Sequence, residues 1–196
     1  MTRRILLIFA VLLLVALGLA FYALQLKRKV ARDEQLAAQQ QLAMPPPVNG
    51  PPTAVTLYIA SDSEGTLRRT QANVVLPSER TERARAVLRA LFGQYLQTSS
   101  PHPIGAGADV RDVYLLADDT AVVDTNAAFA DAHPSGVLAE ELTVASVVVT
   151  LHANDNRIER VKILVNGQER ETLAGHADLS RFYLASNLGQ VVKDLQ

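Results

Sequence analysis

From Ile5 to Leu26 the chain carries no charged side chain, and this run constrains its organisation more than any other feature. Gln25 is the only strongly polar residue within it. As a helix rising 1.5 Å per residue, the run spans roughly 33 Å, enough for the ~30 Å hydrocarbon core of a bilayer. A helix satisfies its own backbone hydrogen bonds in lipid, so this composition is stable there and costly in water. Arg3 and Arg4 precede it, Lys27, Arg28, Lys29 and Arg32 follow, and Phe21 and Tyr22 lie near one predicted interface. Ala16-Leu17-Gly18 offers an alternative, a signal-peptide cleavage site. The apolar run continues beyond that tripeptide into a basic cluster, which fits an uncleaved anchor better. Basic residues flank both ends, and by count they slightly favour the wrong side for an exported domain.

A span of this kind divides the 196 residues into a short N-terminus (1–4), an anchor (5–26), a stalk (27–52), a domain (53–183) and a tail (184–196). About 130 residues suffice for a real core. The formal net charge of −1 conceals an asymmetry: residues 1–44 hold six Lys/Arg against Asp33 and Glu34, which leaves 13 basic and 18 acidic groups beyond them. An acidic domain has no general attraction for nucleic acid, whereas the basic segment beside the span suits lipid headgroups. There is no cysteine, so neither a lipid-modified cysteine nor a disulfide is available.

Residues 27–43 are good helix formers and extend the predicted helix until Pro45-Pro46-Pro47 and Pro51-Pro52 force an extended spacer. Helix and spacer together would hold the domain roughly 50 Å from the bilayer.

The domain opens with the alternating strand Val55–Ile59, a turn at Ser63-Glu64-Gly65, and a strand from Leu67 to Leu76 that stops at Pro77. Ser78 is positioned as a helix N-cap. Ala84, Val87, Leu88, Leu91, Phe92 and Tyr95 then recur at helical spacing, with Arg80, Arg83, Arg85 and Arg89 mostly off that stripe. Strands follow at Val110–Leu116 and Thr120–Val123. Residues 137–151 pull both ways: Val144 and Val147–Val149 favour a strand, while Leu138, Leu142, Ala145 and Val149 repeat helically, with Ser135 as a cap and Glu140 and Glu141 in the first turns. A buried helix is the expectation. A last strand, Ile158–Val165, ends at the hairpin dipeptide Asn166-Gly167 with a short return at Glu169–Leu173. The order β-β-α-β-β-α-β-β implies an α+β fold in which two helices cover one face of a mixed sheet.

An ordered series of segments resembles the GerMN domain of sporulation and germination proteins. It comprises Val55-Thr56-Leu57-Tyr58, Val122-Val123-Asp124 leading to Phe129, Leu142 through Leu151 with Thr150, Val161 through Asn166-Gly167, and Leu173 through Ser180 with Gly175, His176 and Asp178. The match runs across about residues 54–183. One departure is Phe92-Gly93-Gln94-Tyr95, where that family usually has a Gly-Pro pair after the first helix. The resemblance implies a small α+β module related to ring-building domains, exported and tethered to a membrane, acting in binding or assembly and not as an enzyme. It places the domain outside the cytoplasmic membrane. It also implies a structural role for Asp124, Phe129, Thr150, Asn166, Gly167, Gly175, His176 and Asp178, an envelope protein or a second copy as partner, no cofactor and no small-molecule substrate.

The remaining residues give little chemistry. His102, His133, His152 and His176 form no zinc-like spacing. His176 has Asp178 and Ser180 nearby, but a catalytic triad requires convergence in space; a glycine turn closed by Asp and Ser hydrogen bonds is the simpler expectation. Asp118, Asp119, Asp124, Asp131, Asp155 and Asp178 fall mostly in turns, with no calcium-loop spacing. The arginines of the first helix, with Arg68 and Arg69, read as a solvated face. Gly105 and Gly107 precede a strand, the wrong context for a nucleotide loop. The competing functional reading is a cell-wall glycan-binding or hydrolytic domain built around His176, against which stands the absence of Trp. In the tail, Leu184, Leu188, Val191, Val192 and Leu195 recur at helical spacing and suit either docking or fraying.

Overall fold

The computed structural model describes residues 50–188, so the predicted anchor at Ile5–Leu26, residues 27–49 of the stalk and the tail beyond 188 lie outside the described residues. The elements are β1 (Thr53–Ser61), β2 (Thr66–Val74), α1 (Arg80–Tyr95), β3 (Val110–Leu115), β4 (Thr120–Thr125), α2 (Ala127–Asp131), α3 (Val137–Asn154), β5 (Arg160–Val165) and β6 (Tyr183–Leu184).

The strands form two sheets, a correction to the single mixed sheet expected. β1 and β2 make a separate antiparallel hairpin, and the second sheet has the order β3-β4-β5-β6. β3 and β6 run antiparallel to their neighbours, while β4 and β5 are parallel. The expected return strand at Glu169–Leu173 is also absent. After the tight turn, Val165 and Gln168 make one isolated bridge, and the chain leaves as a loop that rejoins β5 only at β6. Asn166 and Gly167 both have positive φ (53° and 73°), the geometry of a type I′ turn. The dipeptide thus specifies the turn, while the residues after it follow the loop. Leu184 belongs to β6, and Ala185 is buried with its N–H on the Glu159 carbonyl, so the fold continues past residue 183.

The valine-rich segment is a helix because α3 lies in the core. Leu142 through Leu151 are all buried, and the helix packs against β1 and α1. Each large apolar side chain removed from water contributes about 1.5–3 kcal/mol, several times the propensity penalty of a β-branched residue in a helix. α3 is long and apolar enough to cross a membrane by composition, yet it is mostly buried inside the domain.

Two expected caps are replaced. Glu79, not Ser78, caps α1, its carboxylate accepting from the Glu82 N–H at 2.9 Å. α3 begins at Gly136 without a side-chain cap from Ser135, and Glu140 turns back to accept the Gly136 N–H at 3.2 Å.

β1 has a free edge, and three side chains close it. Asn154 at the end of α3 accepts from the Thr56 N–H (3.0 Å) and donates to the Thr56 carbonyl (2.6 Å). Thr150 Oγ1 accepts from the Tyr58 N–H at 3.0 Å. The Tyr95 hydroxyl accepts from the Ala60 N–H (3.0 Å) and donates to the Tyr58 carbonyl (3.3 Å), and burial pushes that phenol up to about 12. Helix side chains stand where a neighbouring strand would otherwise pair.

Candidate functional site

Histidines, carboxylates and hydroxyls converge at two places among the described residues. The first is built on Glu140. Its place in the first turn of α3 turns it inward, and it is fully buried. Gly175 (φ 122°) bends the following loop so that the Ala174, His176 and Ala177 N–H groups all point at Oε2, at 3.0, 2.9 and 2.9 Å. The His176 ring donates from Nδ1 to Oε1 at 2.8 Å and is otherwise half-exposed. Burial alone would raise the Glu140 carboxyl, but the His176 ring and the backbone donors outweigh it and hold the group at about 2. The arrangement leaves the carboxylate no oxygen for a substrate. Asp178 accepts from the Ser180 N–H (2.8 Å) and Oγ (2.5 Å), so it closes its own turn and does not approach His176 as a partner.

The second place is deeper. Asp62 Oδ1 lies 2.5 Å from His102 Nδ1, and His102 Nε2 lies 2.6 Å from Thr143 Oγ1. Acid, imidazole and hydroxyl in that order reproduce the connectivity of a hydrolytic triad. Burial rules out that use. Thr143 is wholly inaccessible on α3, and its hydroxyl also meets His133 Nε2 at 2.7 Å and the Ala139 carbonyl at 3.0 Å. Tyr95 and Phe129 pack ring edges against His102 and His133, which completes the enclosure.

The other candidate residues are distributed through the frame. Asp124 is buried on β4, where it accepts the Gly167 N–H at 2.6 Å and faces Arg111 Nε at 3.7 Å. It therefore fastens the Asn166-Gly167 turn to the sheet. Phe129 on α2 stacks against Phe92, with ring centroids 5.2 Å apart. Thr150 closes the β1 edge, and His152 binds the Ile158 carbonyl. Asp118, Asp131 and Asp155 pair with Arg160, Arg170 and Arg80. Sequence reasoning missed Glu140, Asp62 and Thr143. Glu140 reads as an ordinary first-turn acid, and only the loop thirty-odd residues later makes it a buried acceptor.

Grooves and one sheet face are open to solvent among the described residues. A groove of about 520 Å³ runs between the start of α1, the end of α3 and the start of β1, with Arg80, Arg83, Arg157 and Asp155 on its rim above Val55, Val87 and Leu151. The outer face of the four-stranded sheet carries Tyr114, Val122 and Leu164 interspersed with Asp124, Arg160 and Lys162, and Leu116 and Phe182 lie just outside the strands, after β3 and before β6. Tyr114, Leu116 and Phe182 are each about half exposed (49%, 50% and 54%). The opposite face, with Val113, Val123 and Ile163, is the one buried in the core.

A strand hairpin and a mixed sheet enclosing one buried helix, with the polar clusters turned inward, define a small α+β module of the GerMN type. A family model described as sporulation and spore germination (Germane) matches residues 56–171, more than half of the chain. The chain belongs to that family. Among solved structures, the tandem GerMN domains of the sporulation protein GerM from Bacillus subtilis match with a TM-score of 0.54 and 22% identity, covering 69% of this chain and 47% of that one. This chain thus spans about half the length of that tandem pair. The first GerMN domain of the same protein matches at a TM-score of 0.46 and 18% identity, over 65% of this chain and 92% of that one. A structure described as a lipoprotein from Clostridium perfringens matches at 0.48 and 18%, over 70% and 90%. No curated protein matches.

Proposed function

We propose that this protein is a membrane-tethered module of the bacterial cell envelope, its domain on the extracytoplasmic side, that binds a protein partner or a second copy of itself without catalysis. The observation that carries the reading is the use to which the polar residues are put. Each acid–imidazole pair of the described residues is hydrogen-bonded within the fold, while Tyr114, Leu116 and Phe182 stay about half exposed on a sheet face that also carries Lys162 and Arg160. Exposed aromatic and aliphatic side chains set among charged ones suit protein association. Family membership supports the envelope setting, and the uncharged Ile5–Leu26 run supports the tether. The alternative, a glycan-binding or hydrolytic domain centred on His176, gains no support from a carboxylate enclosed by backbone donors.

The test is crosslinking of the full-length protein in its own membrane, with and without Tyr114→Lys and Leu116→Lys. A crosslinked species that both substitutions weaken is the expected result. A protein that stays monomeric and partner-free would overturn the reading. A C-terminal reporter active only outside the cytoplasm tests the orientation separately.

A further inference from the structure

We infer that the outer edge of β2 pairs with the same edge of a second copy of this chain, antiparallel about Thr70, joining two hairpins into one four-stranded sheet. The two edges of the hairpin differ. On β1, the Thr56, Tyr58 and Ala60 N–H groups point away from β2 and are taken by Asn154, Thr150 and Tyr95. Antiparallel pairing alternates, so the residues between them, Val55, Leu57 and Ile59, face β2 and bond to Ala72, Thr70 and Arg68. The same alternation turns the N–H and C=O groups of Leu67, Arg69, Gln71 and Asn73 outward. Among the described residues none of these groups has a hydrogen-bond partner.

Such an edge is usually blunted by a proline, a bulge or a covering element. β2 has no proline, and it pairs with β1 along its whole length without a register shift. Arg68, Arg69, Gln71 and Asn73 are exposed, and Glu64 holds Arg68 at 3.2 Å. A groove of about 450 Å³ separates Arg68 and Thr70 from Gln94 and Gln97 at the end of α1, so that helix stands off the edge.

The register selects a second copy. With Thr70 opposite its counterpart, Leu67 faces Asn73 and Arg69 faces Gln71, so every outward residue of each copy exchanges both backbone groups. Thr70 against Thr70 is a favourable cross-strand pair, and Arg68 falls opposite Ala72. No charge lies directly opposite a like charge. The two Arg69 side chains come nearest, on a diagonal of about 7–8 Å, where exposed charges are partly screened. Sliding the pairing to centre on Arg69 would set Arg69 against itself and leave Asn73 beyond the partner strand. The helices leave room, because the side chains that close β1 come from α1 and α3 on its far side. The two β1 strands would lie three strand spacings apart, about 14 Å, against the roughly 8–10 Å at which helices pack. β1 and β2 form a separate sheet from β3–β6, so this edge is distinct from the face bearing Tyr114.

The test uses the full-length protein in its membrane. The chain has no cysteine, so Thr70→Cys introduces a single thiol. Thr70 turns its own backbone groups to β1, which makes it the non-hydrogen-bonded pair of the new ladder, with Cα atoms about 4.5 Å apart and within disulfide reach. Arg68→Cys would set its thiols about 14 Å apart, beyond that reach. Under mild oxidation, Thr70→Cys should give a disulfide-linked species of twice the chain's mass, at about tenfold or more the yield of Arg68→Cys. In the unsubstituted protein in micelles, exchange of the Leu67, Arg69, Gln71 and Asn73 amides should slow as protein concentration rises, while the Arg68, Thr70 and Ala72 amides stay protected throughout. Tyr114→Lys should change neither result. Equal yields from the two cysteine variants, no linked species, or an adduct of another mass would overturn the self-pairing, as would edge amides that exchange freely at every concentration. Loss of the linked species on Tyr114→Lys would move the contact to the other sheet and overturn it likewise.

Discussion

Glu140 shows how much one residue can carry when the backbone comes to it. A fully buried carboxylate is costly unless every lone pair is used, and here four backbone N–H groups and one ring nitrogen use them. Glu140→Ala leaves those donors without a partner and should cost about 3–5 kcal/mol, measured by urea denaturation at pH 7. The pH dependence has a fixed sign. The folded carboxyl titrates at about 2 against an ordinary value of 4.5, so its stabilisation is complete above about 4.5 and is lost as pH falls toward 2. Glu140→Gln should remove that acid-dependent part, so the urea midpoint of the variant should change less than that of the wild type between pH 5 and pH 3. His133 acts in the same direction at higher pH. Burial depresses its folded value below the ordinary 6.5, so its contribution is present above that value and fades as pH falls below it.

At the level of elements, the β1–β2 hairpin survives apart from the main sheet because α1 and α3 supply its missing edge partners. Thr150→Val preserves shape and removes the acceptor of the Tyr58 N–H. A loss of about 1–3 kcal/mol is expected, with faster amide exchange at Tyr58 as the specific readout. Gly105 tests close packing between the α1–β3 loop and the residue after α2. A Cβ there would lie 2.5 Å from the Ala132 Cβ and 2.7 Å from its backbone. Gly105→Ala should therefore destabilise by about 1–3 kcal/mol, seen as a lower thermal midpoint, because backbone must shift to admit the methyl group. The Asn166-Gly167 turn depends on a different device, the Asp124 carboxylate that binds its amide from beneath.

For the molecule as a whole, the division is between a polar frame satisfied within the fold and a sheet face on which Tyr114, Leu116 and Phe182 stay half exposed. The frame binds the 99–108 loop and the 174–180 loop to α3, the helix around which the hairpin and α1 pack. The proposed partner surface is the sheet face bearing Tyr114, Leu116 and Phe182. Replacing Tyr114 or Leu116 by Lys should change stability by no more than about 0.5 kcal/mol, read from the thermal midpoint, since both side chains are half exposed, while lowering association in the membrane. That separation of stability from assembly distinguishes an interaction surface from a structural one.

Much of this architecture is legible without coordinates. The spacing of Ala84, Val87, Leu88, Leu91 and Phe92 marks α1, and the Leu142–Ala145–Val149 repeat marks α3 despite its valines. Asn166-Gly167 marks a turn, since each pattern answers to local geometry of 3.6 or 2 residues or to a positive φ. Periodicity has no means of stating which strands share a sheet, so the hairpin's independence and the pairing of β6 with β5 emerge only from tertiary packing. The same holds for the site. His176 stands out in the sequence, whereas Glu140, Asp62 and Thr143 look ordinary, because a buried acceptor or a hydrogen-bonded relay is made by residues thirty-odd to forty positions apart. The uncharged Ile5–Leu26 run and the family-like order of segments are properties of the sequence itself. Which polar groups are spent inside the fold, and which face is left open, was decided by the tertiary structure, since burial and hydrogen-bond satisfaction are properties of the assembled chain.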